Sequence, residues 1–558
     1  MLRLIPVYCF GLVIATISGC GSSPSKPGQA TDKWIDDVAD LEQPGQITCP
    51  DPGRRDEAPF ERRTTPNPEN SDIWLWAGGE LVGDLDGDGT LDVINVNEVA
   101  TANLMAGTPA ATFIQKPEQL ESFDLSLGIG GSLVDYDGDG DLDAYILLYD
   151  AANMMLRNDG DLNFTDVTAE TGVTGCEIDG SLCYKSMSSS WADYDRDGDL
   201  DLVVGNYGYV VHDGTPVEDF LPGEPSFFYE NNGDGTFTDV SATVLPRDTM
   251  AHVHNGYTYI AGFHDLNADG WPELYFVNDF GTYQVSILLW NDAGTLVLDN
   301  GEHGFDENQT GMGLALGDIN DDGYPDVLIP EWNKITYLES IVLPGDQLDW
   351  VRKDTAVGLT VNNDVNQRVG WGAAWGDVDN DGDLDGIVAY GYVKSENQIW
   401  DNPFKQPDAL YIQQDDGTFI DESAAWGNDD DGVGRGFVVA DFNNDGWLDI
   451  AKRDLAGPNV LQVSNCGAES WTRIELRSPG TLNTRAIGAV IQVYAGPLSM
   501  SRTITAGGTN YASSSPPSAH FGLGMNDVID AITVKWPDGQ TSYFRNIPSR
   551  QILTITQK

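Results

Sequence analysis

The chain has little positive charge and no long apolar run, and each shortage excludes a class of protein. Its 558 residues include 29 Lys and Arg against 88 Asp and Glu, a formal net charge of -59 at pH 7. Because such an acidic surface repels nucleic acids and anionic membranes, we expect no nucleic-acid partner. The N-terminal apolar run, 4–17, is too short to span a bilayer, so membrane contact is expected through a lipid anchor only.

Catalytic motifs are also scarce. The sequence contains no serine-nucleophile elbow, phosphate loop, dinucleotide fingerprint or zinc-protease helix. It has six histidines, of which His252, His254 and His264 are close enough along the chain to bind a transition metal or act as acid and base. Loop or strand histidines that face solvent or a turn are the favoured alternative, and His520 is interpreted as a packing or hydrogen-bonding residue. We therefore predict no catalytic residue.

What the chain does contain is a nine-residue acidic loop, D-x-[DN]-x-D-G-x-x-[DE], which occurs seven times. The loops start roughly 50 to 70 residues apart, which is the size of a propeller blade. In each loop, oxygens at positions one, three, five and nine and the backbone carbonyl of position seven can converge on one hard cation. Without a cation these carboxylates would repel one another, so the sequence predicts about seven bound calcium ions.

The predicted calcium ligands form five sets according to their position in the loop. Position one is occupied by Asp84, Asp135, Asp193, Asp265, Asp318, Asp377 and Asp441. Position three is occupied by Asp86, Asp137, Asp195, Asn267, Asn320, Asp379 and Asn443. Position five is occupied by Asp88, Asp139, Asp197, Asp269, Asp322, Asp381 and Asp445. Position seven is occupied by Thr90, Asp141, Asp199, Trp271, Tyr324, Asp383 and Trp447. Position nine is occupied by Asp92, Asp143, Asp201, Glu273, Asp326, Asp385 and Asp449.

The acidic ninth position separates these loops from the EF-hand, which needs a Glu at position twelve and flanking helices. Short β-type runs such as 202–204 follow the loops instead, so each loop is expected to join two strands. A hairpin completes each unit, which gives four strands per unit. Such units close economically as a seven-bladed β-propeller over 47–466, with an open solenoid as the alternative. Residues 470–558 lack the acidic loop and form a small β domain, so the fold class is all-β.

The N-terminus has the features of an export signal. A basic Arg3, the apolar run and the ending Ile17-Ser18-Gly19-Cys20 make 1–20 a signal peptide. The ending resembles a bacterial lipobox, which would make Cys20 the lipidated first residue of the mature protein. An ordinary cleaved signal is the alternative. Residues 21–46 are polar and are predicted to be a flexible tether, so the protein is expected in the cell envelope, as an outer-membrane lipoprotein, or secreted.

Four cysteines remain after Cys20. In an oxidising compartment an even number suggests two disulfides. We predict that Cys176 pairs with Cys183 to close a small loop. We predict that Cys49 pairs with Cys466, which would join the two ends of the repeat region near the place where the ring closes.

Two stretches of the chain resemble known families. Gly370–Asp377 and Gly436–Asp441 look like the FG-GAP or VCBS repeats of integrin-α-type β-propellers. Asn483–Ala489, His520–Gly524 and Trp536–Gly539 resemble the ASPIC/UnbV domain. The combination resembles the cartilage acidic protein-like family and implies extracellular interaction more than any reaction.

The expected function is therefore a calcium-stabilised, non-enzymatic extracytoplasmic scaffold that binds a protein or glycan. One alternative is an envelope enzyme, a lyase or hydrolase acting on polysaccharide from the propeller's central face. Another is an accessory factor for assembling an envelope complex. The sequence does not identify the ligand, the propeller face that binds it or the oligomeric state.

Overall fold

The computed structural model describes 16 stretches of the chain, which together contain most of the repeat region and the whole of 470–558. They are 38–65, 78–96, 102–177, 180, 182–208, 223–245, 255–281, 285–299, 301, 303–305, 309–345, 347–361, 368–392, 405–429, 431–455 and 457–558. The predicted signal peptide, Cys20, His252 and His254 lie outside these residues. In the described stretches, no helix is both long enough and apolar enough to cross a membrane.

Seven antiparallel sheets in the described residues, six with four strands and sheet 3 with a short fifth strand, share one plan. The first strand runs into an acidic loop and the second strand leaves it. Sheet 1 is Glu80–Gly83, Asp92–Asn95, Asn103–Ala106 and Ile114–Gln115. Sheet 2 is Gly128–Val134, Asp143–Leu148, Met154–Asn158 and Phe164–Asp166, and sheet 3 is Lys185–Ala192, Asp201–Tyr207, Phe227–Asn231 and Phe237–Asp239. Sheet 4 is Thr258–His264, Glu273–Asn278, Ile287–Asn291 and Leu296–Leu298, and sheet 5 is Ala315–Gly317, Asp326–Glu331, Lys334–Leu343 and Gln347–Arg352. Sheet 6 is Gly370–Gly376, Asp385–Tyr390, Ala409–Gln413 and Phe419–Asp421, and sheet 7 is Gly434–Ala440, Asp449–Asp454, Asn459–Ser464 and Phe60–Thr65.

The fourth strand of sheet 7 comes from the other end of the repeat region. Phe60–Thr65 pairs antiparallel with Asn459–Ser464, and Val82 of sheet 1 lies in one hydrophobic cluster with Val438 of sheet 7. The disulfide Cys49–Cys466 lies beside this junction, and both predicted disulfides are present. The sheets therefore close as a propeller, as predicted. The count of seven blades stays a prediction, because several connecting segments lie outside the described residues.

The C-terminal domain consists of two further four-stranded sheets. One has the strand order Ala39–Glu42, Gln551–Gln557, Ser470–Arg477 and Ser518–Gly524. The other has the order Leu498–Thr503, Val490–Ala495, Val528–Lys535 and Thr541–Pro548. The stretch predicted as a flexible tether, 21–46, thus contains a strand, because Ala39–Glu42 pairs antiparallel with the open edge of Gln551–Gln557. Four residues carry too little periodicity to reveal a strand whose partner lies at the other end of the chain.

The remaining elements are short. Two small sheets pair Glu224–Pro225 with Asn255–Gly256 and Gln406–Pro407 with Asp431–Gly432, and Ala506–Gly507 joins the first strand of sheet 3. The α-helices of the described residues are Gly53–Glu57, Thr168–Thr171, Ser241–Val244, Asp354–Val357 and Ser423–Trp426, and Pro117–Gln119 is a 3-10 helix.

The segment 505–516 of the C-terminal domain, called here the plug segment, lies in the space enclosed by the first strands. It reaches sheet 1, where the amide of Ser514 donates to the carbonyl of Glu80 at 3.0 Å, and sheet 3, where Gly508 donates to Ser189 at 3.0 Å. Asn510 forms a bridge with Leu314, which precedes the first strand of sheet 5.

The plug segment touches the other four sheets as well. The amide of Leu133 in sheet 2 donates to Ser514 Oγ at 3.3 Å, and Asn510 Nδ2 donates to the carbonyl of Phe437 in sheet 7. The ring of Tyr511 contacts Tyr259 of sheet 4 and Trp371 of sheet 6. The described first strands are thus joined around one segment of a second domain.

Candidate metal centres at the interdomain face

The acidic loop of sheet 6 shows how position one is held. Asp377 Oδ2 accepts a hydrogen bond from the amide of Gly382 at 3.0 Å, and Gly382 has a φ of +113°, a conformation that favours glycine. The same bond from position six to position one occurs in all seven loops. One oxygen of each first carboxylate therefore shapes the turn. The other also accepts a backbone amide in the loops of sheets 2, 5 and 7, and has no such partner among the described residues in the loops of sheets 1, 3, 4 and 6.

The ninth carboxylate has a structural role that the sequence did not reveal. In sheet 1, Asp92 Oδ2 accepts from the amide of Leu85 and Oδ1 accepts from that of Gly107, both at 2.8 Å. Sheet 7 repeats the pattern, since Asp449 accepts from Phe442 and Ser464. The ninth carboxylate thus ties the loop to the third strand of its sheet, while each oxygen keeps a second lone pair for a cation.

Carboxylates converge in four of the loops. In these loops, three side chains each offer an oxygen, and the three oxygens lie within 4.8 Å of one another. The groups are Asp84, Asp86 and Asp92; Asp135, Asp137 and Asp143; Asp193, Asp195 and Asp197; and Asp377, Asp379 and Asp385. The loops of sheets 4, 5 and 7 have Asn at position three, so they offer fewer carboxylates and a weaker charge.

Several buried carboxylate oxygens in these loops have no hydrogen-bond partner among the described residues. They are the Oδ1 atoms of Asp84, Asp193, Asp265 and Asp377 at position one, together with those of Asp379 and Asp199. A buried, unpaired carboxylate oxygen is costly, and a hard cation that prefers oxygen ligands would satisfy it. The loops of sheets 1, 3, 4 and 6 therefore fit a cation. In sheet 5, by contrast, Asp318 Oδ1 accepts from the amide of Asp322.

Burial and mutual repulsion raise the pKa values of the loop carboxyls. Burial, with a smaller contribution from Asp197 and Asp195, raises the pKa of Asp193 to about 6. Burial raises the pKa of Asp92 to about 7 and that of Asp201 to about 9. Without a cation, these groups therefore resist ionisation near neutral pH, and a bound cation would favour the ionised form.

The C-terminal domain lies on the acidic loops. Thr484 Oγ1 and Arg485 Nη2 donate to Asp135 and to the carbonyl of Gly140 in the loop of sheet 2. Lys535 Nζ donates at 3.0 Å to the carbonyl of Ala268 in the loop of sheet 4. The propeller face that carries these loops is thus an interdomain surface.

The loops of sheets 6 and 7 are bound by two adjacent strands of the C-terminal domain, Ser518–Gly524 and Ser470–Arg477. The amide of Gly522 donates to Asp377 Oδ2 at 3.0 Å. Arg473 Nη1 donates to Asn444 Oδ1 at 2.8 Å and lies 3.7 Å from Asp441 Oδ2. A guanidinium from the C-terminal domain thus supplies positive charge beside the first carboxylate of sheet 7.

Cavities remain between the propeller and the C-terminal domain, and two of them have volumes above 200 Å³. One, of about 260 Å³, is lined by residues that include Asp318, Asp377, Arg502 and His520. The other, of about 310 Å³, is lined by residues that include Asp84, Asp441, Arg473, Arg477 and Arg485. In both cavities, arginines of the C-terminal domain face position-one carboxylates of the loops.

The buried histidines His264 and His520 each lie beside a backbone carbonyl. His264 Nε2 lies 3.0 Å from the carbonyl of Gly508 in the plug segment, and His520 Nε2 lies 3.1 Å from the carbonyl of Gly446. Burial lowers the pKa of both rings to about 4, so they are neutral near pH 7. The interpretation of His520 as a hydrogen-bonding residue is confirmed, and His264 has the same role.

The propeller face opposite the acidic loops, called here the open face, carries aromatic and polar side chains. Trp332 lies between the second and third strands of sheet 5, is 43% exposed, and contacts Tyr392 with ring centroids 5.7 Å apart. Tyr207 ends the second strand of sheet 3, and Asp279 follows the second strand of sheet 4. The hydroxyl of Tyr207 donates to Asp279 Oδ2 at 2.8 Å, and both side chains are buried. Burial raises the pKa of Asp279 to about 6.

The fold and the loops define a β-propeller of FG-GAP-like repeats with an ASPIC and UnbV domain. The FG-GAP-like repeat family matches 135–204 and 265–329, and the ASPIC and UnbV family matches 480–558. Both resemblances read from the sequence are confirmed. The matched repeats include the acidic loops of sheets 2, 3, 4 and 5.

Among named proteins, the chain is related to cartilage acidic protein 1. It is 23% identical to the Mus musculus protein over 518 residues, which cover 79% of this chain and 75% of the mouse protein. It is 25% identical to the Xenopus tropicalis protein over 518 residues, which cover 80% of this chain and 76% of that protein. With the Homo sapiens protein the identity is 23% over 339 residues, 60% of this chain and 40% of the human protein.

Solved structures resemble the chain more distantly. An Agrocybe aegerita lectin that recognises non-reducing terminal N-acetylglucosamine is 18% identical, with a TM-score of 0.37, over 62% of this chain and 79% of the lectin. YCF48 bound to D1 peptide is 11% identical, with a TM-score of 0.39, over 75% of this chain and 98% of that protein. These scores are too low to support an argument about this chain.

Proposed function

We propose that the protein is a calcium-stabilised extracytoplasmic scaffold that binds a protein or glycan partner on its open face and catalyses no reaction. The observation that supports this choice of face is the position of the C-terminal domain. It covers the acidic loops of sheets 2, 4, 6 and 7, and its plug segment occupies the space between the first strands. The opposite face, as far as the described residues form it, is therefore the face that we propose for a partner.

The open face has the chemistry of a recognition surface. An exposed tryptophan backed by a second ring, as in the pair Trp332 and Tyr392, supplies a large and rigid contact area. Leu127 and Leu182, which precede the first strands of sheets 2 and 3, are 41% and 53% exposed on the same side. Aromatic and apolar groups among polar neighbours suit a glycan ring or an apolar protein patch.

The cations have a structural role in this proposal. The unpaired oxygens of Asp84, Asp193, Asp265 and Asp377 would ligate calcium, with position-seven carbonyls and water completing each site. Calcium would neutralise the repulsion between loop carboxylates and stiffen the surface on which the C-terminal domain lies. Bound calcium supplies charge and rigidity, and no reaction step depends on it.

The rival proposal of a polysaccharide-cleaving enzyme needs a reactive group outside the loops. The pair of Tyr207 and Asp279 provides a phenol and a carboxyl at the open face. Tyr207 is 4% and Asp279 8% exposed, however, so a sugar chain does not reach them in this conformation. The observation therefore favours binding without cleavage.

The location that we propose is the cell envelope. Two disulfides in the folded chain are typical of an extracytoplasmic protein. Lipidation at Cys20 would attach the protein to the outer membrane through the polar segment that follows. A Cys20→Ala protein is expected to appear in the soluble fraction, and its retention in membranes would contradict the lipid anchor.

The experiment that tests the function screens immobilised glycans and envelope proteins in calcium, with retention and cleavage measured on the same ligands. Retention without new reducing or unsaturated ends supports the scaffold, and new ends support the enzyme. Trp332→Ala should weaken retention, whereas Tyr543→Ala, which removes an aromatic ring that is 55% exposed on the C-terminal domain, should leave it unchanged. Equal retention by wild type and Trp332→Ala would reject the proposed face. Recovery of one defined envelope protein with the wild type would support the role in complex assembly.

A further inference from the structure

One carboxylate joins a candidate cation site to the C-terminal domain. Asp377 Oδ1 is buried and has no partner among the described residues, whereas Oδ2 accepts from the amide of Gly522 at 3.0 Å. The second oxygen also holds Gly382 of its own loop at 3.0 Å. Oδ1 of Asp377 therefore faces the cation site, and Oδ2 of the same side chain faces a strand of the C-terminal domain.

The backbone of the same loop makes a second connection. The amide of Gly524 donates to the carbonyl of Asn380 at 2.7 Å, and Asn380 Nδ2 donates to the carbonyl of Gly446 in the loop of sheet 7 at 3.0 Å. Asn380 is fully buried and has a φ of +60°. The shape of this one loop thus sets the position of Ser518–Gly524 relative to two sheets of the propeller.

The strand held by this loop follows the plug segment directly. Ser518–Gly524 begins two residues after the end of the plug segment at Pro516, so displacement of the strand also displaces the segment inside the ring. Three carboxylates, those of Asp377, Asp379 and Asp385, have oxygens within 4.8 Å of one another. A bound cation would hold these three carboxylates together and so fix the position of Asp377 relative to Gly522, whereas the loop without a cation lacks this constraint.

We infer that cation binding in the loop of sheet 6 seats the C-terminal domain, with Asp377 as the connecting residue, so that an occupied loop holds the plug segment in place. The inference rests on the cation sites of the proposed function and adds a coupling between one of them and the domain interface. By linkage, the seated domain must raise the cation affinity of this loop by the same factor.

Close packing at Gly522 leaves no room for a side chain. A Cβ atom at this position would lie 2.1 Å from Asp377 Oδ2 and 2.4 Å from the Cα atom of Asn380. Gly522→Ala is therefore expected to unseat the strand even in saturating calcium. Gly53→Ala is a matched control, because the nearest atom to its Cβ lies 3.9 Å away.

The experiment measures hydrogen exchange of the amides in 505–524 in the full-length protein, together with the number of bound calcium ions. In wild type, excess chelator should accelerate exchange in 505–524 by about 5- to 150-fold, the range of typical coupling energies. Asp377→Asn should bind one cation fewer and show fast exchange in calcium. Asp193→Asn, which removes the equivalent carboxylate in sheet 3, should also lose one cation but keep the exchange slow, because the hydrogen bond of Asp193 goes to Gly198 in its own loop.

Cleavage by chymotrypsin after Tyr511 provides a second readout, since this buried ring is the aromatic side chain of the plug segment. If wild type binds calcium but 505–524 exchanges equally fast with and without it, the coupling is wrong and the cation sites stand. The same conclusion follows if the amides of 505–524 exchange at equal rates in the Asp377→Asn and Asp193→Asn proteins. If wild type binds no calcium, the structural role of calcium in the proposed function fails as well. If Asp377→Asn does not fold, the calcium titration of wild type decides, because protection of 505–524 must rise with occupancy.

Discussion

The ring of Tyr511, from the C-terminal domain, packs edge to face against the ring of Tyr259 in sheet 4, with centroids 5.6 Å apart. Tyr511 is fully buried, and Tyr259 is 1% exposed. The ring of Trp371 in sheet 6 lies 5.1 Å from that of Tyr511 and 5.8 Å from that of Tyr259, so the three rings form one cluster. An aromatic side chain of one domain therefore completes the core of another, so the two are expected to unfold together.

Truncation of this ring tests the shared core. Tyr511→Ala should lower the free energy of unfolding by about 3 to 5 kcal/mol, the usual cost of removing a buried aromatic side chain. Tyr543→Ala, in the same domain but 55% exposed, should change it by less than about 0.5 kcal/mol. Urea titration followed by tryptophan fluorescence and far-ultraviolet circular dichroism checks both. Two separate transitions in wild type would contradict joint unfolding.

Calcium should stabilise the fold. A site with a Kd of about 0.1 mM contributes about 1.4 kcal/mol in about 1 mM calcium, so four occupied loops would contribute about 6 kcal/mol. The melting temperature should therefore rise on addition of calcium and fall in excess chelator. Magnesium at the same concentration is the control for ionic strength and should have a smaller effect, because it requires stricter octahedral geometry. A melting temperature that is unchanged in excess chelator would refute the structural role of calcium.

The stabilisation by calcium should grow with pH. In the cation-free protein, burial raises the pKa of Asp193 to about 6 and of Asp92 and Asp445 to about 7. A carboxyl with a raised folded pKa stabilises the fold below its unfolded pKa, and this contribution is lost as pH rises through the folded value.

The melting temperature in chelator should therefore fall between about pH 4 and about pH 7. In calcium the fall should be smaller, because the cation binds the ionised carboxylates. The buried rings of His264 and His520, whose pKa values are lowered to about 4, act in the opposite direction over this range. They contribute to the curves in calcium and in chelator alike, so the difference between the two curves reports the loop carboxylates. The prediction fails if the difference between the calcium and chelator curves is constant over this range.

The two disulfides should differ in their effect on stability. Cys49 and Cys466 are 417 residues apart, whereas Cys176 and Cys183 are 7 apart. The chain-entropy model assigns about 6 kcal/mol to the long loop and about 2 kcal/mol to the short one. Cys49→Ser with Cys466→Ser should thus destabilise the protein more than Cys176→Ser with Cys183→Ser. Equal urea midpoints of the two double variants would contradict the assigned role in closing the ring.

The sequence revealed the features that depend on local residue order. Position-one carboxylates such as Asp377, the glycine at position six and the β-rich flanks lie within nine residues of one another, so the loops and their strand connections were predictable. The two disulfides followed from the compartment and the even number of cysteines.

Features that depend on distant pairing were missed. Ala39–Glu42 is a strand only because Gln551–Gln557 offers an edge, and the plug segment has the composition of an ordinary loop, rich in Gly, Ser and Thr. Individual contacts, such as that of Gly522 with Asp377, set the position of the C-terminal domain on the acidic loops. Such contacts produce no periodic pattern in the sequence. The face available to a partner could not be chosen without them.

The outer strand of sheet 7, Phe60–Thr65, precedes its partner Asn459–Ser464 by almost the whole repeat region. Pairing of such distant segments has a high loop-closure cost, and slow folding is expected where contacts are this far apart in sequence. During synthesis, Phe60–Thr65 has no partner strand until the last repeat is made, and its backbone hydrogen-bonding groups stay exposed. The ring therefore closes late. Any factor that protects the unpaired strand Phe60–Thr65 would determine the yield of folded protein.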